Sequence, residues 1–189
     1  MSLEIASTLP RFIILDRDGV INQESDAYIK SPAEWHPLPR AIEAIAQLSQ
    51  AGICLCVATN QSGVGRGFYT EETLHTIHQR MRELVIDAGG LLSHVVYCPH
   101  LPSDDCYCRK PKPGLLYQLR DQYHIPLDNT PFIGDSLRDI EAAQAAGCRP
   151  IFVRSGHGEK SYVTHRERLK GIPVFEDLWD VTQDLLSLR

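Results

Sequence analysis

The sequence predicts an α/β protein with a doubly wound, Rossmann-like parallel sheet of about five strands and helices on both faces. Two observations indicate this class. Short apolar runs alternate along the chain with longer segments of helical periodicity. The runs contain few polar residues, which is typical of parallel strands buried on both faces of a sheet. With 189 residues and no internal repeat or linker, the chain is expected to form one domain over residues 1–189.

The predicted strands are short and mostly apolar, and several are rich in β-branched residues. They span residues 12–15, 53–58, 94–97, 132–135 and 150–153. Val174 and Phe175 are candidates for a further, short edge strand. The segments that join strands to helices contain clusters of glycine, proline or polar residues, which favour loops. They include residues 17–39, 59–67 and 154–160.

The predicted helices carry apolar residues at three- and four-residue spacing, and several have recognisable ends. Gly52 is a plausible C-cap for the first helix, whereas Thr70 and Ser136 are candidate N-caps for later ones. The helices are expected over residues 40–51, 71–88, 115–124, 137–146 and 178–188. Together with the strands they give the alternating order that a parallel sheet requires.

Composition and charge exclude several classes of function. The net charge of −5 comes without a basic cluster, which argues against nucleic acid as the main partner. No apolar stretch reaches the length of a membrane span, and the N-terminus lacks the basic and hydrophobic segments of a secretory signal. We therefore expect a cytoplasmic protein with neither a nucleic-acid nor a membrane partner.

Polar side chains follow three of the predicted strands at the point where each strand ends. They are Asp16 and Asp18 after the first strand, Thr59 and Asn60 after the second, and Asp135 in the fourth. Right-handed crossovers bring the carboxyl ends of parallel strands to one edge of the sheet. Lys110 precedes a helix, from which its ammonium can reach the same edge. Such a set suits Mg²⁺ and a phosphate group, although Asp and Gly are also ordinary turn residues.

A cluster of cysteines follows the third predicted strand. Cys98, His100, Cys106 and Cys108 fall within eleven positions, and three thiolates with one imidazole form a typical set of structural zinc ligands. In a reducing compartment such a cluster indicates a metal site more than disulfides. The alternative is a group of thiols that binds no metal. Four protein ligands leave no open position, which indicates a structural zinc rather than a catalytic one. We therefore expect a zinc-binding loop over residues 98–110, ordered by the metal.

Taken in order, these residues resemble the haloacid dehalogenase-like (HAD) phosphatase superfamily. The likeness extends from about Phe12 to Val153 and implies a minimal cap over the sheet edge. Each motif is weak alone, but four in this order are specific. The motifs are Asp16-Arg17-Asp18-Gly19, the hydroxyl pair Thr59-Asn60, the lysine Lys110, and Gly134-Asp135 with Asp139.

The resemblance implies a mechanism for phosphate-ester hydrolysis. Asp16 would attack phosphorus and form an aspartyl-phosphate. Asp18 would protonate the leaving alkoxide and then activate water. Thr59 and Lys110 would stabilise charge on the phosphoryl oxygens. The implied Mg²⁺ ligands are Asp16, Asp135 and the main-chain carbonyl of Asp18.

The cysteine loop narrows the resemblance. Together with Asp-Arg-Asp-Gly, Thr-Asn-Gln-Ser-Gly and Arg-Lys-Pro, it is similar to the D-glycero-D-manno-heptose 1,7-bisphosphate 7-phosphatase family, which acts in making lipopolysaccharide precursors. Histidinol-phosphate phosphatases share the scaffold and remain an alternative. A phosphorylated sugar is therefore the implied substrate. The residues implied in substrate contact are Glu24, Ser25, Asp26, Ala27, Tyr28, Asn60, Gln61, Ser62, Arg109 and Ser136.

The sequence allows more than one role for several residues. Ser136 stands where many relatives have a lysine, with Arg138 nearby. Asp139 either supports the metal or is a solvated carboxylate at a helix start. Arg109 either grips a second phosphate or solvates the loop surface. A monomer is expected, while the preferred anomer and the exact substrate stay open.

One non-enzymatic interpretation also remains at this stage. A zinc-stabilised module that binds a partner protein would retain the cysteine loop. It would require the pair of aspartates after the first strand to have no chemical role.

Overall fold

The computed structural model describes residues 9–187, and its centre is one parallel six-stranded sheet. The strands are β1 (Phe12–Leu15), β2 (Cys54–Asn60), β3 (His94–Cys98), β4 (Pro131–Gly134), β5 (Arg149–Val153) and β6 (Val174–Phe175). Their order across the sheet is β3-β2-β1-β4-β5-β6. The chain thus winds outward in both directions from the β1/β4 pair, which confirms the predicted doubly wound class.

The expectation of about five strands is wrong by one. Val174 and Phe175 form a sixth, two-residue strand, which pairs in parallel with Phe152 and Val153 of β5. Strand β2 also extends two residues beyond its predicted end. Thr59 and Asn60 belong to it because they pair with the last two residues of β3.

Seven α-helices lie within residues 9–187. They are α1 (Ala41–Gln50), α2 (Ser62–Gly65), α3 (Glu71–Asp87), α4 (Gly114–Tyr123), α5 (Leu137–Ala146), α6 (Gly158–His165) and α7 (Leu178–Leu186). Short 3₁₀ turns occur at Pro32–Glu34 and Pro102–Asp104. The predicted end of the last helix, Leu188, lies outside the described residues.

Two helices fall in segments for which loops were predicted. Helix α6 begins inside the predicted loop over residues 154–160. Helix α2 lies inside the predicted loop over residues 59–67, where two glycines weaken the local preference for helix. Contacts with other parts of the chain stabilise this short helix. Gly63 packs so closely on the Tyr69 ring that a Cβ there would lie 2.3 Å from it, and Gly65 N donates to Pro99 O at 3.0 Å.

Each face of the sheet is covered by its own set of helices. On one face α1, α3 and α7 bury apolar residues such as Ile45, Ile77 and Val181 against the sheet. On the other face α4 and α5 do so, with Leu116 and Ala143 among the buried residues. No helix in the described part of the chain combines the length and apolar character needed to cross a bilayer.

Strand pairing decides which residues meet at the carboxyl edge of the sheet. Leu15 of β1 stands opposite Ile133 of β4, and Asp16 N donates to Ile133 O at 2.9 Å. The next residues along both strands therefore emerge side by side. Asp16 and Asp135 are neighbours because the winding of the sheet reverses at this point.

Candidate active site

Three buried carboxylates meet at the edge where β1 and β4 end. One ligand oxygen each from Asp16, Asp135 and Asp139 lies within 4.8 Å of the others. Their exposed fractions are 9%, 3% and 1%. Burial raises the pKa of Asp16 to about 7 and the pKa of Asp135 well above its ordinary value, and neighbouring carboxylates add to both effects. A divalent cation fits here, since it would relieve the repulsion and hold all three groups ionised.

Lys110 is a buried cation among these carboxylates. Its Nζ lies 2.8 Å from Asp16 Oδ1 and 2.6 Å from Asp139 Oδ1, and it donates to Ala58 O at 2.9 Å. The Asn60 side chain fixes the Lys110 backbone, because its amide donates to Lys110 O and accepts from Lys110 N, both at 3.1 Å. Asn60, predicted to contact substrate, thus uses its side chain to position the lysine.

The sequence allowed two roles for Asp139, and the structure places this carboxylate in the site. Its Oδ2 accepts from Ser136 N at 3.0 Å and from Ser136 Oγ at 2.6 Å, while its other oxygen faces Lys110. Although burial acts to raise the pKa of Asp139, Lys110 and Ser136 hold it below its ordinary value. A carboxylate 1% exposed is not solvated, so the reading of Asp139 as a helix-start group in water is wrong. Its spacing of one helical turn from Asp135 is the sequence signal.

Glycines let the chain close around Asp135. Gly19 has a φ of +79°, and a Cβ there would lie 2.0 Å from Asp135 Oδ2. A Cβ on Gly156 would lie 2.5 Å from the same oxygen, which accepts from His157 N at 2.9 Å. Sequence reasoning marked the segment around Gly156 only as a loop, and its contact with Asp135 arises from tertiary structure.

Asp18 lies beside this group of three and is held by its own set of donors. Arg17 donates to Asp18 Oδ1 from Nε at 3.1 Å and from Nη2 at 2.8 Å. Asn22 donates to the same oxygen at 2.8 Å, and Gln61 donates to Oδ2 at 2.7 Å. The side chain is 20% exposed. The Asp18 carboxylate is therefore fixed in direction while one side faces solvent.

Gln61, predicted to contact substrate, lines the outer cavity, and its side chain also makes hydrogen bonds within the protein. Its amide also donates to Thr59 Oγ1 at 3.0 Å, and its carbonyl accepts from the Tyr69 hydroxyl at 2.8 Å. Gln61 therefore links Asp18 to Thr59. Tyr69, which the sequence analysis missed, supports this link from the buried side.

Two adjoining cavities, which share four lining residues, lie at these groups. The inner cavity, of about 70 Å³, is lined by Asp16, Asp18, Glu24, Thr59, Asn60, Lys110, Asp135, Ser136, Arg138, Asp139 and His157. The outer cavity, of about 240 Å³, is lined by Arg17, Asp18, Glu24, Ser25, Asp26, Tyr28, Ile29, Asn60, Gln61, Ser62, Tyr69, Arg109 and Arg138. Nearly all predicted site residues at the sheet edge line one or both. Ala27 is exposed and lies outside both linings.

The outer cavity is lined by both basic and acidic side chains. Arg109 and Arg138 provide positive charge, and Arg109 Nη1 donates to His100 O at 3.2 Å. Glu24 and Asp26 are the carboxylic acids near them, and partial burial, followed by repulsion from Asp18, raises the pKa of Glu24 to about 8, so this carboxyl is mostly uncharged near pH 7. From the sequence, Arg138 was noted only as a neighbour of Ser136. It lies near Arg109, so the rim of the outer cavity carries two positive charges.

The four predicted zinc ligands converge in the loop after β3. The Sγ atoms of Cys98, Cys106 and Cys108 are 3.2 to 3.6 Å apart, and His100 Nδ1 lies 3.5 Å from Cys98 Sγ and 3.2 Å from Cys108 Sγ. Zinc–sulfur bonds of about 2.3 Å imply sulfur–sulfur edges of about 3.8 Å in a tetrahedron. All six cysteines are free. The four atoms thus fit a tetrahedral metal ion and no disulfide.

Comparisons with known proteins agree with this geometry. A family model for HAD-hydrolase-like proteins matches residues 107–181. The chain is 50% identical over 175 residues to the D-glycero-beta-D-manno-heptose-1,7-bisphosphate 7-phosphatase of Pseudomonas aeruginosa, covering 93% of this chain and 97% of that protein. The enzyme of the same name from Pseudomonas putida is 48% identical over 180 residues, with 93% and 99% covered.

The chain belongs to the heptose-1,7-bisphosphate 7-phosphatase family. This membership confirms the predicted resemblance and the prediction of an enzyme, so the zinc-stabilised protein-binding module is set aside. The crystal structure of D,D-heptose 1,7-bisphosphate phosphatase from B. bronchiseptica, complexed with magnesium and phosphate, has a TM-score of 0.90 to this chain at 44% identity. The match covers 95% of this chain and 100% of the B. bronchiseptica chain.

Proposed function

We propose that this member of the heptose bisphosphatase family removes the 7-phosphate of D-glycero-D-manno-heptose 1,7-bisphosphate, using Mg²⁺ and an aspartyl-phosphate on Asp16. One observation carries the proposal. An inner cavity lined by carboxylates and Lys110 adjoins an outer cavity lined by two arginines, and the two share four lining residues. A substrate with one reacting and one remote phosphate matches both cavities.

Asp16 is the nucleophile in this proposal. Among the described residues its side chain makes two polar contacts, both through Oδ1, which accepts from Arg17 N at 2.7 Å and faces Lys110. The second oxygen, Oδ2, is therefore the one that attacks phosphorus. As the new bond forms, the bond from phosphorus to the sugar oxygen breaks, and its electron pair leaves with the sugar. Lys110 and Thr59 stabilise the charge on the phosphoryl oxygens.

Asp18 handles the protons of both steps. In its protonated form it gives its proton to the departing sugar oxygen, and as a carboxylate it takes a proton from the water that releases phosphate from Asp16. Its donors Arg17, Asn22 and Gln61 hold it at the boundary of the two cavities. The fixed direction of this carboxylate suits a group that must meet both the sugar oxygen and a water.

Mg²⁺ would be held at the buried acid cluster, by Asp16, Asp135 and the main-chain carbonyl of Asp18. When bound, it supplies positive charge that allows an anionic carboxylate to approach an anionic phosphate. Asp139 supports this arrangement through Lys110, because both of its oxygens already have partners within the chain. The magnesium in the related B. bronchiseptica structure supports this proposal for the present chain.

Zn²⁺ would be held by Cys98, His100, Cys106 and Cys108. Four protein ligands leave no position for substrate, so the ion has a structural role. Arg109 and Lys110 directly follow the last ligand in the sequence. The metal would thereby fix the direction of two cations, one at the rim and one inside.

The remote phosphate would bind at Arg109 and Arg138. A guanidinium can grip phosphate with two parallel hydrogen bonds, a geometry that the lysine ammonium does not match. Binding energy from this phosphate can orient the reacting one. We infer a preference for the β anomer, on the support of the Pseudomonas relatives, whose names specify it.

A phosphate-release assay with purified enzyme and Mg²⁺ tests the proposal. The panel contains both anomers of the heptose 1,7-bisphosphate, a heptose monophosphate and histidinol phosphate. We expect the highest kcat/KM for the β bisphosphate. A higher value for histidinol phosphate would favour the alternative substrate, and no release from any ester would refute phosphatase activity.

A further inference from the structure

His78 is a buried polar residue on the inner face of helix α3. Its neighbours on that face are apolar, namely Leu74, Ile77, Met81 and Val85. His78 is only 6% exposed, although an apolar residue would fill the same space without the cost of burying an imidazole. A buried polar side chain requires a hydrogen-bond partner, and the partner of His78 leads to the active site.

That partner is Arg17, whose side chain is among the most deeply buried in the protein at 1% exposure. Arg17 Nη1 lies 3.2 Å from His78 Nε2, while its Nε and Nη2 donate to the Asp18 carboxylate. A guanidinium has donors only, so His78 Nε2 must accept. The proton of the neutral ring then resides on Nδ1. Burial, followed by the charge of Arg17, lowers the pKa of His78 to about 2, which keeps the ring neutral.

We propose that His78 is a positioning residue, which orients the Arg17 guanidinium and through it the carboxylate of Asp18. The inference rests on the proposed function, in which Asp18 transfers the protons. The guanidinium of Arg17 donates to Asp18 on one side, and on the other side His78 is the acceptor that the described residues offer to Nη1. Because a buried donor without a partner is costly, removal of His78 would turn the guanidinium and move Asp18 with it.

The position of Asp18 matters unequally for different leaving groups. When Asp16 Oδ2 attacks phosphorus, the electron pair of the breaking bond goes to the ester oxygen. A sugar alkoxide requires the Asp18 proton at this moment. The nitrophenolate released from p-nitrophenyl phosphate is stable as an anion and leaves without that proton. A displaced Asp18 should therefore slow transfer from a sugar phosphate while sparing transfer from the aryl ester.

The test compares three substitutions on helix α3, each measured as kcat/KM with the heptose bisphosphate and with p-nitrophenyl phosphate. His78→Leu keeps volume and removes the acceptor. We expect a loss of about 10- to 100-fold on the sugar phosphate and of less than about 3-fold on the aryl ester. His78→Gln restores an acceptor and should recover activity to within about 3-fold. His75→Leu, a control at an exposed histidine that contacts Tyr97, should change neither value.

Each outcome separates the possibilities. Equal losses on both substrates would show a general structural role and overturn the proposal, as would unchanged kinetics in His78→Leu. Should that variant not fold, His78→Asn replaces it, since its amide is one methylene shorter than that of His78→Gln and should not reach Arg17. A wild-type enzyme that hydrolyses neither ester would reject the proposed function itself, whatever the variants do.

Discussion

Two clusters of candidate metal ligands occur in the described residues, and they are built in different ways. The acid cluster (Asp16, Asp135 and Asp139) is buried, and strand pairing and glycine contacts set its positions. The sulfur cluster (Cys98, His100, Cys106 and Cys108) lies on the loop after β3, with His100 exposed and two of its cysteines partly exposed. Its donor atoms are in contact mainly with one another.

The difference bears on what each proposed metal would do for the protein. The acid cluster keeps its geometry through chain contacts from Lys110, Ser136 and His157, so we expect its ion to exchange without loss of structure. The sulfur cluster lies on a loop with partly exposed donors, so we expect its ion to supply the order of the loop. The first arrangement suits catalysis and the second suits support. The following experiments test that distinction, from the largest expected effect to the smallest.

Asp16→Asn is expected to reduce turnover at least about 10⁴-fold, because an amide oxygen is a poor nucleophile. The thermal midpoint should stay the same or rise, since the change keeps the volume and removes one of three crowded, buried carboxylates. Enzyme assays and thermal melts measure the two effects. Asp87→Asn, at an exposed position on α3, is the matched control. Near-normal turnover in Asp16→Asn would contradict the assignment of the nucleophile.

Removal of exchangeable metal with a mild chelator should abolish activity, and Mg²⁺ alone should restore it fully. The reason is that the frame of the acid cluster persists without its ion. Metal analysis of the chelated protein should still find about one zinc per chain, since thiolate ligands bind zinc tightly. If Zn²⁺ has to be added back before activity returns, the two clusters do not differ as described.

Arg109→Ala tests the connection between the two clusters. We expect kcat/KM to fall about 10- to 100-fold for the heptose bisphosphate and by less than about 3-fold for a monophosphate, because only the former carries a remote phosphate. Steady-state kinetics on both substrates give the comparison.

Arg80→Ala is the control, at an exposed arginine on α3 outside the lining of both cavities. Equal losses on the two substrates would reject a remote phosphate site at Arg109.

Cys106→Ser is expected to lower activity about 3- to 10-fold and the thermal midpoint by about 5–10 °C, because a weaker metal site loosens the loop that carries Arg109 and Lys110. Zinc content should fall while Mg²⁺ dependence stays the same. Cys54→Ser changes a thiol outside the loop and should retain its zinc. A zinc-free but fully active Cys106→Ser variant would show that the loop orders itself.

Ser136→Ala should have the smallest effect, about 1 kcal/mol of stability or roughly 2–4 °C in the thermal midpoint. It removes the hydroxyl that donates to Asp139, while the donation from the Ser136 main chain remains. Turnover should fall by less than about 5-fold as Asp139 holds Lys110 less firmly. Ser103→Ala, at an exposed loop position, should change neither quantity. A loss of turnover as large as that of Asp16→Asn would make Ser136 part of the reacting groups.

Local sequence was sufficient to predict the regular part of the fold. The strands are recognisable because burial on both faces of the sheet requires apolar runs. The longer helices are recognisable because packing through one face requires apolar residues at helical spacing. Helix α2 was not predicted, because its two glycines weaken the local preference for helix. Strand β6 was identified only as a candidate edge strand, because two residues give a weak local pattern.

The sequence by itself determined which side chains are available for chemistry: the aspartates at strand ends, the lysine before a helix and the four closely spaced cysteine and histidine side chains proposed to bind zinc. The types and order of these residues are enough to predict a shared site, because the carboxyl ends of parallel strands lie at the same edge of the sheet. Tertiary structure decided the partnerships. The side chains of Asn60 and Gln61 hold Lys110 and Asp18, Arg138 lies with Arg109 in the lining of the outer cavity, and His78 contacts Arg17, which is 61 residues away in the sequence. Such contacts depend on how helices dock on the sheet, and no spacing along the chain encodes them.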